Sequence, residues 1–332
     1  MSFKSLFMIN QYTFILFYKK KLYNLIYYNR GLKLSMHKFF SFLSSFIFLL
    51  SISFNSYSDN QLNSLNSKFA KYKSDPKVRS AKAMVVNQNN GKVIYQKNAY
   101  SEASIASLTK LMTAMVIIDS KIDLNKKIKI TKQDIDRLKG TGSRIPIGSL
   151  ITGHDLLKIS LMSSDNRAAS ALSRAYPSGK KGFIKAMNIK ALKLGMHNSK
   201  FADSTGLNKR NKSTARDLVR MVEAAYQYPK IRKITTTSQE TFRIGKRKNE
   251  IGFVNTNRLV RKGTWDIGLS KTGFTRDAGR CLVMQTTISN EPVIMIFLNS
   301  YGTLTRFADA QRVRKWIKKE SIMNKISQIS DH

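Results

Sequence analysis

Cysteine, histidine and proline are scarce in this chain of 332 residues. The single cysteine, Cys281, excludes an intramolecular disulfide and any thiolate metal cluster. Its apolar surroundings, Cys-Leu-Val-Met, indicate a buried small side chain rather than a nucleophile. None of the four histidines is paired with another at metal-ligand spacing: His37, His154, His197 and His332. The sequence therefore predicts no zinc site.

Acidic residues are also few, with 20 aspartates and glutamates against 58 lysines and arginines and a formal net charge of +38. Such a balance is compatible with nucleic acid, with anionic polymers of a cell envelope, or with a basic face turned to solvent. No zinc-finger, RNP or basic-zipper pattern accompanies the charge, and aromatic residues are not interleaved with basic ones in a repeated way. We therefore predict no nucleic-acid partner.

The N-terminal part of the sequence contains an apolar run with no acidic residue around it. Residues 1–58 contain no acidic residue, and their apolar run Phe39–Ile52 is short for a membrane span. A basic segment, Met36-His-Lys38, precedes this run, and a small-x-small site, Ser56-Tyr-Ser58, follows it. This order is typical of a secretory signal peptide. We interpret residues 1–58 as an extension and export signal, with Met36 as an alternative start and membrane contact only through that signal.

Beyond a polar leader at residues 59–78, the sequence patterns predict one folded domain over residues 79–320. Two alternating segments, Lys82–Asn87 and Lys92–Lys97, flank a Gln-Asn-Asn-Gly turn and predict a hairpin. Helical periodicity dominates from there to Pro229, and β-branched apolar segments follow that proline. This order predicts an α+β fold in which a mainly helical part is inserted into one antiparallel sheet.

The C-terminal segment is basic and amphipathic. We predict a helix from Leu304 to Lys319 that packs on the sheet rather than lying on a membrane. Residues 321–332 are expected to be a tail. Only 13 residues follow Lys319, so the sequence predicts no β-rich second domain.

Ser107 and Lys110 are the first candidate catalytic residues. They lie in an apolar run, Ser104 to Ile118, that is predicted to be a buried helix, and residues three apart share a helix face. Near a helix N-terminus, unpaired N–H groups and the dipole favour negative charge. A neutral Lys110 can then take the hydroxyl proton and make Ser107 a nucleophile. The spacing alone assigns nothing, because it recurs at Ser35, Ser74 and Ser178.

Two further motifs follow along the chain, Ser164-Asp-Asn166 in a loop and Lys271-Thr-Gly273 at the end of a β segment. Burial and the charge of Lys271 are expected to lower the pKa of Lys110 by the roughly 3 units that a base near pH 7 needs. Ser164 can relay a proton to the leaving amine, and Asn166 can hold the lysine and a substrate carbonyl.

The Lys271 motif is suited to binding the substrate. Lys271 and Thr272 can bind a substrate carboxylate, and Gly273 permits a close approach of backbone. The amides of Ser107 and Phe274 are candidates for an oxyanion hole.

With these motifs in place, the chain resembles the low-molecular-mass penicillin-binding proteins of the D-alanyl-D-alanine carboxypeptidase/endopeptidase family. The similarity extends over roughly residues 80–320. It includes Ala106–Thr113, Phe201–Leu207, Asn255-Thr-Asn257 and Gly268–Met284, and the last run is most similar to the endopeptidase branch.

This resemblance implies the β-lactamase/penicillin-binding (transpeptidase-like) fold. It also implies a Ser107 acyl-enzyme on peptidoglycan stem peptides and cross-links, covalent inhibition by β-lactams, a periplasmic location, and no metal or other cofactor. Phe274 follows the Lys-Thr-Gly motif where many of the carboxypeptidases carry histidine, which weakens any transfer of their specificity.

Three alternatives remain open at this point. The first is a carboxypeptidase that trims pentapeptide stems, which needs the same carboxylate-binding groups. The second is a class A β-lactamase, which needs a glutamate in a Glu-x-x-Leu-Asn motif. Between Asn166 and Lys271 no glutamate has asparagine four residues later, which disfavours this enzyme. The third is a non-catalytic protein whose basic surface binds anionic wall polymer.

Overall fold

The computed structural model describes residues 75–245 and 249–330, with side chains up to residue 322. The predicted export signal and nearly all of the polar leader lie outside the described residues. The described strands are β1 (Lys82–Asn87), β2 (Val93–Lys97), β3 (Ala103–Ser104), β4 (Lys127–Lys129), β5 (Leu150–Thr152), β6 (Lys212–Ser213), β7 (Gln239–Ile244), β8 (Asn249–Val254), β9 (Ile267–Thr275), β10 (Gly279–Ile288) and β11 (Glu291–Ser300). The α-helices are α1 (Thr109–Asp119), α2 (Gly153–Met162), α3 (Asn166–Arg174), α4 (Gly179–Lys193), α5 (Ala215–Tyr226), α6 (Pro229–Thr236), α7 (Arg258–Lys262) and α8 (Thr305–Ser330). Short 3-10 helices span Ala106–Leu108 and Lys132–Asp134.

The largest sheet in the described part of the chain has five antiparallel strands in the order β2-β1-β11-β10-β9. The first two strands form the predicted hairpin, and the last three follow one another at the C-terminal side of the domain. The chain therefore leaves the sheet after β2 and returns to it at β9. The predicted α+β architecture, with a mainly helical insertion in one antiparallel sheet, is confirmed.

The sheet separates two apolar cores, which explains why its central strands are apolar almost without interruption. Side chains of β11 point alternately to the two faces. One set joins the core shared with the inserted helices: Ile294, Ile296 and Leu298. The other set joins a core completed by Phe307, Val313, Trp316 and Ile317 of α8: Val293, Met295 and Phe297. The C-terminal helix thus packs on the sheet, as its amphipathic pattern predicts.

Helix α1 occupies the centre of the inserted part. All residues from Thr109 to Ile117 are buried, including polar ones. A helix that is apolar on nearly every side is stable only when other elements cover it. This burial holds α1 in place, so the N-terminal end of α1 is a rigid support for Ser107, which precedes it.

Local structure differs from the sequence-based predictions at four places. The predicted helix from Ser104 is replaced by β3 and a 3-10 turn, with α1 starting at Thr109, because Ala106 adopts a φ of 45°. Pro229 starts α6 rather than a strand, at the first helical position, where proline fits. Lys271 lies inside β9 instead of at its end, and α8 continues past Lys319 to Ser330. Among the described residues, no helix is both long enough and apolar enough to span a bilayer.

Candidate active site

Ser107 lies in the 3-10 turn that precedes α1. The turn is held from within, since Thr109 Oγ1 donates to the carbonyl oxygen of Ala106 at 2.8 Å. Ala106 has a positive φ, which non-glycine residues rarely adopt. Ser107 itself is partly buried, whereas Ala106 and Leu108 beside it are buried. The tight turn therefore presents the serine hydroxyl while anchoring both of its neighbours.

Lys110 is completely buried one turn after the serine. Its Nζ atom lies 3.0 Å from Ser107 Oγ, 2.7 Å from Asn166 Oδ1 and 2.8 Å from the carbonyl oxygen of Thr205. Burial lowers the pKa of Lys110 from 10.5 to about 8, although the negative charges of Asp203, Asp165 and Asp136 act in the opposite direction. This shift corresponds to about 3 kcal/mol against the ammonium form.

The turn between α2 and α3 supplies the second group of polar side chains. Ser164 has a φ of 64°, and Asp165 caps α3 by accepting from the N–H of Ala168 at 2.9 Å. Asp165 also accepts from the Ser143 hydroxyl at 2.7 Å. Asn166 is the first residue of α3, and its Nδ2 atom donates to Thr141 Oγ1 at 2.8 Å. The cap thus fixes the backbone from which Ser164 and Asn166 project.

Strand β9 carries the third group. Lys271 is buried, and its Nζ atom donates to Ser164 Oγ at 2.8 Å and to the carbonyl oxygen of Thr272 at 3.0 Å. Burial, with the charges of Lys110 and Arg306, holds the pKa of Lys271 well below 10.5. The Thr272 hydroxyl bonds to the hydroxyl of Thr256 at 2.6 Å.

Gly273 and Gly206 allow two segments to approach the serine turn closely. A Cβ atom on Gly273 would lie 3.0 Å from the carbonyl oxygen of Ile105 and 3.1 Å from the nitrogen of Ser107. A Cβ atom on Gly206 would lie 1.9 Å from the carbonyl oxygen of Ala106. A side chain is excluded at Gly206 and would be tightly packed at Gly273, so β9 and the loop at residues 203–207 enclose the turn.

The structure brings together the polar side chains of all three motifs. One continuous set of contacts joins Ser107, Lys110 and Asn166, and a second joins Ser164 with Lys271. The exception is the Phe274 side chain, which is 52% exposed and stacks beneath the Arg280 guanidinium at 4.3 Å. Only the backbone of Phe274 follows the glycine into the site.

A serine in contact with a buried lysine, beside a second buried lysine on an antiparallel strand, is suited to acyl transfer, and comparisons with known proteins agree. The sequence profile of the D-alanyl-D-alanine carboxypeptidase family, Peptidase S11, matches residues 69–302. The chain belongs to this family.

Curated relatives and a solved structure support the same assignment. The D-alanyl-D-alanine endopeptidase of Pseudomonas aeruginosa is 47% identical over 239 residues, which cover 72% of this chain and 77% of that protein. The D-alanyl-D-alanine endopeptidase of Escherichia coli is 45% identical over 250 residues, with 75% and 81% covered. The crystal structure of the Streptomyces K15 DD-transpeptidase superposes with a TM-score of 0.68 at 29% identity and covers 73% of this chain and 98% of its own. The predicted family and penicillin-binding fold are confirmed.

Several residues of this peptidase site were not singled out from the sequence as site residues. Thr205 contributes a backbone carbonyl, which no side-chain pattern can reveal. Asp203 shapes the same loop by accepting from the N–H groups of Thr205 and Gly206, each at 2.6 Å. The run Phe201–Leu207 carried part of the family resemblance, and this was the only sequence signal for these residues. Thr141 stands in a loop with no motif of its own.

We searched the described residues, 75–245 and 249–322, for a possible metal site. In that part of the chain, no three histidine, cysteine, aspartate or glutamate side chains are placed to hold a metal ion. Cys281 is buried in β10 opposite Gly273, and burial raises the pKa of its thiol to about 11. Such a thiol is a poor nucleophile.

Proposed function

We propose that this protein is a serine-type D-alanyl-D-alanine endopeptidase that cleaves peptidoglycan cross-links through an acyl-enzyme on Ser107. The observation that carries the proposal is the 3.0 Å contact between Ser107 Oγ and the buried Nζ atom of Lys110. A serine hydroxyl becomes a nucleophile when an adjacent base takes its proton. Lys110 is the base that this geometry offers.

Lys110 is suited to that role because burial brings its pKa to about 8. At pH 7 about one molecule in ten then carries the neutral amine, whereas an exposed lysine would be neutral in fewer than about one in a thousand. The surrounding aspartates keep the pKa from falling further. A base with a pKa near the working pH combines a usable neutral fraction with a strong tendency to accept a proton.

In the acylation step, Ser107 Oγ attacks the carbonyl carbon of the D-alanyl residue and its proton moves to Lys110 Nζ. The carbonyl oxygen takes up the electron pair and receives hydrogen bonds from the amides of Ser107 and Phe274. When the amide bond breaks, the leaving nitrogen takes a proton from the Ser164 hydroxyl, which Lys110 and Lys271 can replenish. Water then hydrolyses the ester and frees Ser107.

Recognition of the substrate rests on Lys271 and Thr272. An extended peptide beside β9 places the α-carboxylate that follows the scissile bond near the ammonium and the hydroxyl of these residues. Gly273 leaves room for that approach, since a side chain there would meet the serine turn. Asn166 holds Lys110 and presents its amide to a substrate carbonyl.

The endopeptidase assignment, rather than carboxypeptidase activity, is supported by the two relatives at 45–47% identity, which both bear the endopeptidase name. A cross-link and a terminal D-alanine present the same amide and carboxylate. The same residues therefore serve a carboxypeptidase, which remains the second candidate because the family description names that activity.

The other two alternatives have less support. Two of the three glutamates between Asn166 and Lys271 form ion pairs away from the serine: Glu240 with Lys158 at 2.5 Å, and Glu250 with Arg243 at 3.2 Å. None of the three, Glu223 included, lies in a Glu-x-x-Leu-Asn motif, so slow release of a penicilloyl group is expected. A purely wall-binding protein has no need for a lysine buried against a serine.

Location and chain organisation complete the proposal. Residues 1–58 direct export and residues 59–78 form a leader. Residues 79–320 act as the catalytic domain in the periplasm, where peptidoglycan is accessible. β-Lactams acylate Ser107 as substrate mimics, and the basic surface assists contact with anionic wall material.

Labelling with a fluorescent penicillin tests the nucleophile. Wild-type protein should form a stoichiometric adduct by intact-mass measurement, and Ser107→Ala should form none while keeping the wild-type circular dichroism spectrum. A labelled Ser107→Ala protein would refute the assignment.

Incubation with defined muropeptides tests the activity. Purified cross-linked dimers should be converted to monomers, and pentapeptide monomers should lose terminal D-alanine more slowly. If dimers stay intact while pentapeptides are trimmed, the protein is a carboxypeptidase instead.

A further inference from the structure

A chain of directed hydrogen bonds runs from the loop at residues 136–141 to the proposed base. The Thr141 hydroxyl donates to Asp136 Oδ2 at 2.6 Å and accepts from Asn166 Nδ2 at 2.8 Å. The other side of the same amide, Oδ1, accepts from Lys110 Nζ at 2.7 Å. Three side chains thus connect a surface loop to a buried amine.

The donor and acceptor of each hydrogen bond in this series follow from the Asp136 carboxylate at its end. A carboxylate can only accept, so the Thr141 hydroxyl must use its proton on Asp136. Its remaining lone pairs can only accept, so the NH₂ group of Asn166 must face Thr141. The carbonyl oxygen of the Asn166 amide is therefore directed at Lys110.

Asp136 itself is fixed by the loop. It accepts from the backbone N–H groups of Leu138 at 2.8 Å, Lys139 at 3.1 Å and Thr141 at 2.8 Å. These bonds, with that of the Thr141 hydroxyl, hold the pKa of Asp136 below its ordinary value although partial burial raises it. Asp136 consequently stays ionised and remains an acceptor at neutral pH.

The loop is also attached on the far side of the site. Lys139 Nζ contacts Asp277 Oδ2 at 2.5 Å, and Asp277 lies in the turn between β9 and β10. The segment therefore bridges the inserted helical part and the strand that carries Lys271. Because Lys139 is two residues before Thr141, its ion pair with Asp277 restricts where the Thr141 side chain can lie.

A neutral lysine amine has two N–H bonds and one lone pair, and three oxygen atoms surround Nζ of Lys110. The carbonyl oxygen of Thr205 can only accept, and Asn166 Oδ1 can only accept as long as its amide does not rotate. With both N–H bonds used there, the lone pair is left for the remaining neighbour, the hydroxyl of Ser107. A rotated Asn166 would present N–H groups to the lone pair and compete with the serine.

We propose that Thr141, held by Asp136, is a positioning residue that locks the Asn166 amide so that the lone pair of neutral Lys110 faces Ser107. The inference rests on the proposed function, since it assigns a partner to the same base. It adds two residues to the site that none of the three motifs contains. Neither acts on the substrate directly.

Thr141→Val is the decisive variant, because its methyl group takes the place of the hydroxyl and bonds to neither Asp136 nor Asn166. The rate of acylation by a fluorescent penicillin should fall roughly 10- to 100-fold, as expected for a misdirected catalytic group. Thr141→Ser keeps the hydroxyl and should restore most of the rate.

The pH profile separates positioning from simple loss of stability. In Thr141→Val a rotated Asn166 turns N–H groups toward the ammonium of Lys110, which disfavours the charged form. The rising limb of the acylation rate should therefore shift to lower pH, while the maximum rate falls. Partial unfolding would lower the rate equally at all pH values and leave the limb in place.

Thr131→Val is the matched control. Thr131 bonds through its N–H and its hydroxyl to Asp134 at 2.9 and 3.2 Å, in the same loop region, but its hydroxyl bonds do not include Asn166. It should lose some stability and keep its acylation rate per folded molecule and its pH profile.

Wild-type rate and profile in Thr141→Val would overturn the inference, and so would an equal change in Thr131→Val. If the valine variant does not fold, Thr141→Ala decides by the same two readouts. Absence of acylation in the wild-type protein would instead refute the proposed function.

Discussion

Lys271 donates from Nζ to Ser164 Oγ at 2.8 Å, which joins β9 to the turn between α2 and α3. Lys110 lies close enough for its charge to depress the pKa of Lys271, and both lysines are buried. Two ammonium groups in one dry site oppose each other, so the protonation of one lysine depends on that of the other. The site can thereby hold one neutral lysine as base and one charged lysine for the substrate.

We predict a bell-shaped pH dependence of acylation from these two lysines. Lys110 acts as a base when deprotonated, so the rate should rise as the pH approaches its pKa of about 8. Lys271 binds a carboxylate when protonated, so the rate should fall again before the ordinary lysine pKa of 10.5 is reached. Stopped-flow acylation between about pH 6 and pH 10 measures both limbs. A profile that is flat throughout would exclude Lys110 as the titrating base.

Replacement of Lys110 by arginine should abolish acylation although the charge is kept. Arginine stays protonated under all conditions that a protein survives, so it cannot take the Ser107 proton. The rate should fall by about 100-fold or more, the usual contribution of a general base. Lys158→Arg is the matched control, because Lys158 makes an ion pair with Glu240 at a distance from the serine turn. Comparable rates for the two variants would contradict the role of Lys110.

Gly206→Ala should damage both stability and acylation. Its Cβ atom would lie 1.9 Å from the Ala106 carbonyl oxygen and 2.8 Å from the Ser107 nitrogen, and the φ of +88° disfavours any side chain. We expect a loss of about 2 kcal/mol or more in the free energy of unfolding, with displacement of the serine turn. Gly263→Ala provides the comparison, since Gly263 also has a positive φ but its Cβ atom would meet no atom within 4 Å. Urea unfolding and penicillin labelling of both variants separate backbone strain from the collision at Ser107.

The sheet could be predicted from the sequence because burial of apolar side chains alone decides its central strands. The strands β10 and β11 have apolar side chains on both faces, and burial in two cores leaves no competing arrangement. The serine turn could not be predicted, because the apolar pattern of α1 extends backwards through Ser104 while the positive φ of Ala106 depends on tertiary contacts. Pro229 was ambiguous by itself, since proline both ends helices and starts them.

The site residues could likewise be predicted only in part. Side-chain motifs indicated Ser107, Lys110 and Lys271, because their chemistry requires particular residue types. The acceptor supplied by Thr205 is a backbone carbonyl, and the role of Thr141 depends on a loop crossing that only the folded chain defines. Residues that act through position rather than type leave little trace in a single sequence.

Asp309 anchors the segment that precedes β1, and its substitution should test stability without touching the site. Its buried carboxylate accepts from the N–H groups of Arg79 at 2.9 Å and Ser80 at 2.8 Å and from the Ser80 hydroxyl at 2.5 Å. Asp309→Asn has one acceptor oxygen fewer and should lose about 1–3 kcal/mol of unfolding free energy. Glu250→Gln, on an exposed ion pair with Arg243, should change it by less than about 1 kcal/mol. Urea unfolding measures both variants. Equal stability of the two would refute the role of Asp309 in anchoring the segment before β1.

Thr272→Val should weaken the reaction with cross-linked dimers by removing a hydroxyl that can turn from Thr256 to donate to the substrate carboxylate. A hydrogen bond to a charged group contributes about 1.5–3 kcal/mol, so kcat/KM should fall roughly 10- to 100-fold. Thr272→Ser keeps the hydroxyl, including its bond to Thr256, and should stay near the wild type. A dimer whose α-carboxylate is converted to an amide supplies the second test. Wild type and Thr272→Val should cleave that neutral substrate at similarly low rates, because the charged partner of the hydroxyl is gone. A full valine defect on the amide substrate would show that Thr272 acts on the fold of the site rather than on the carboxylate.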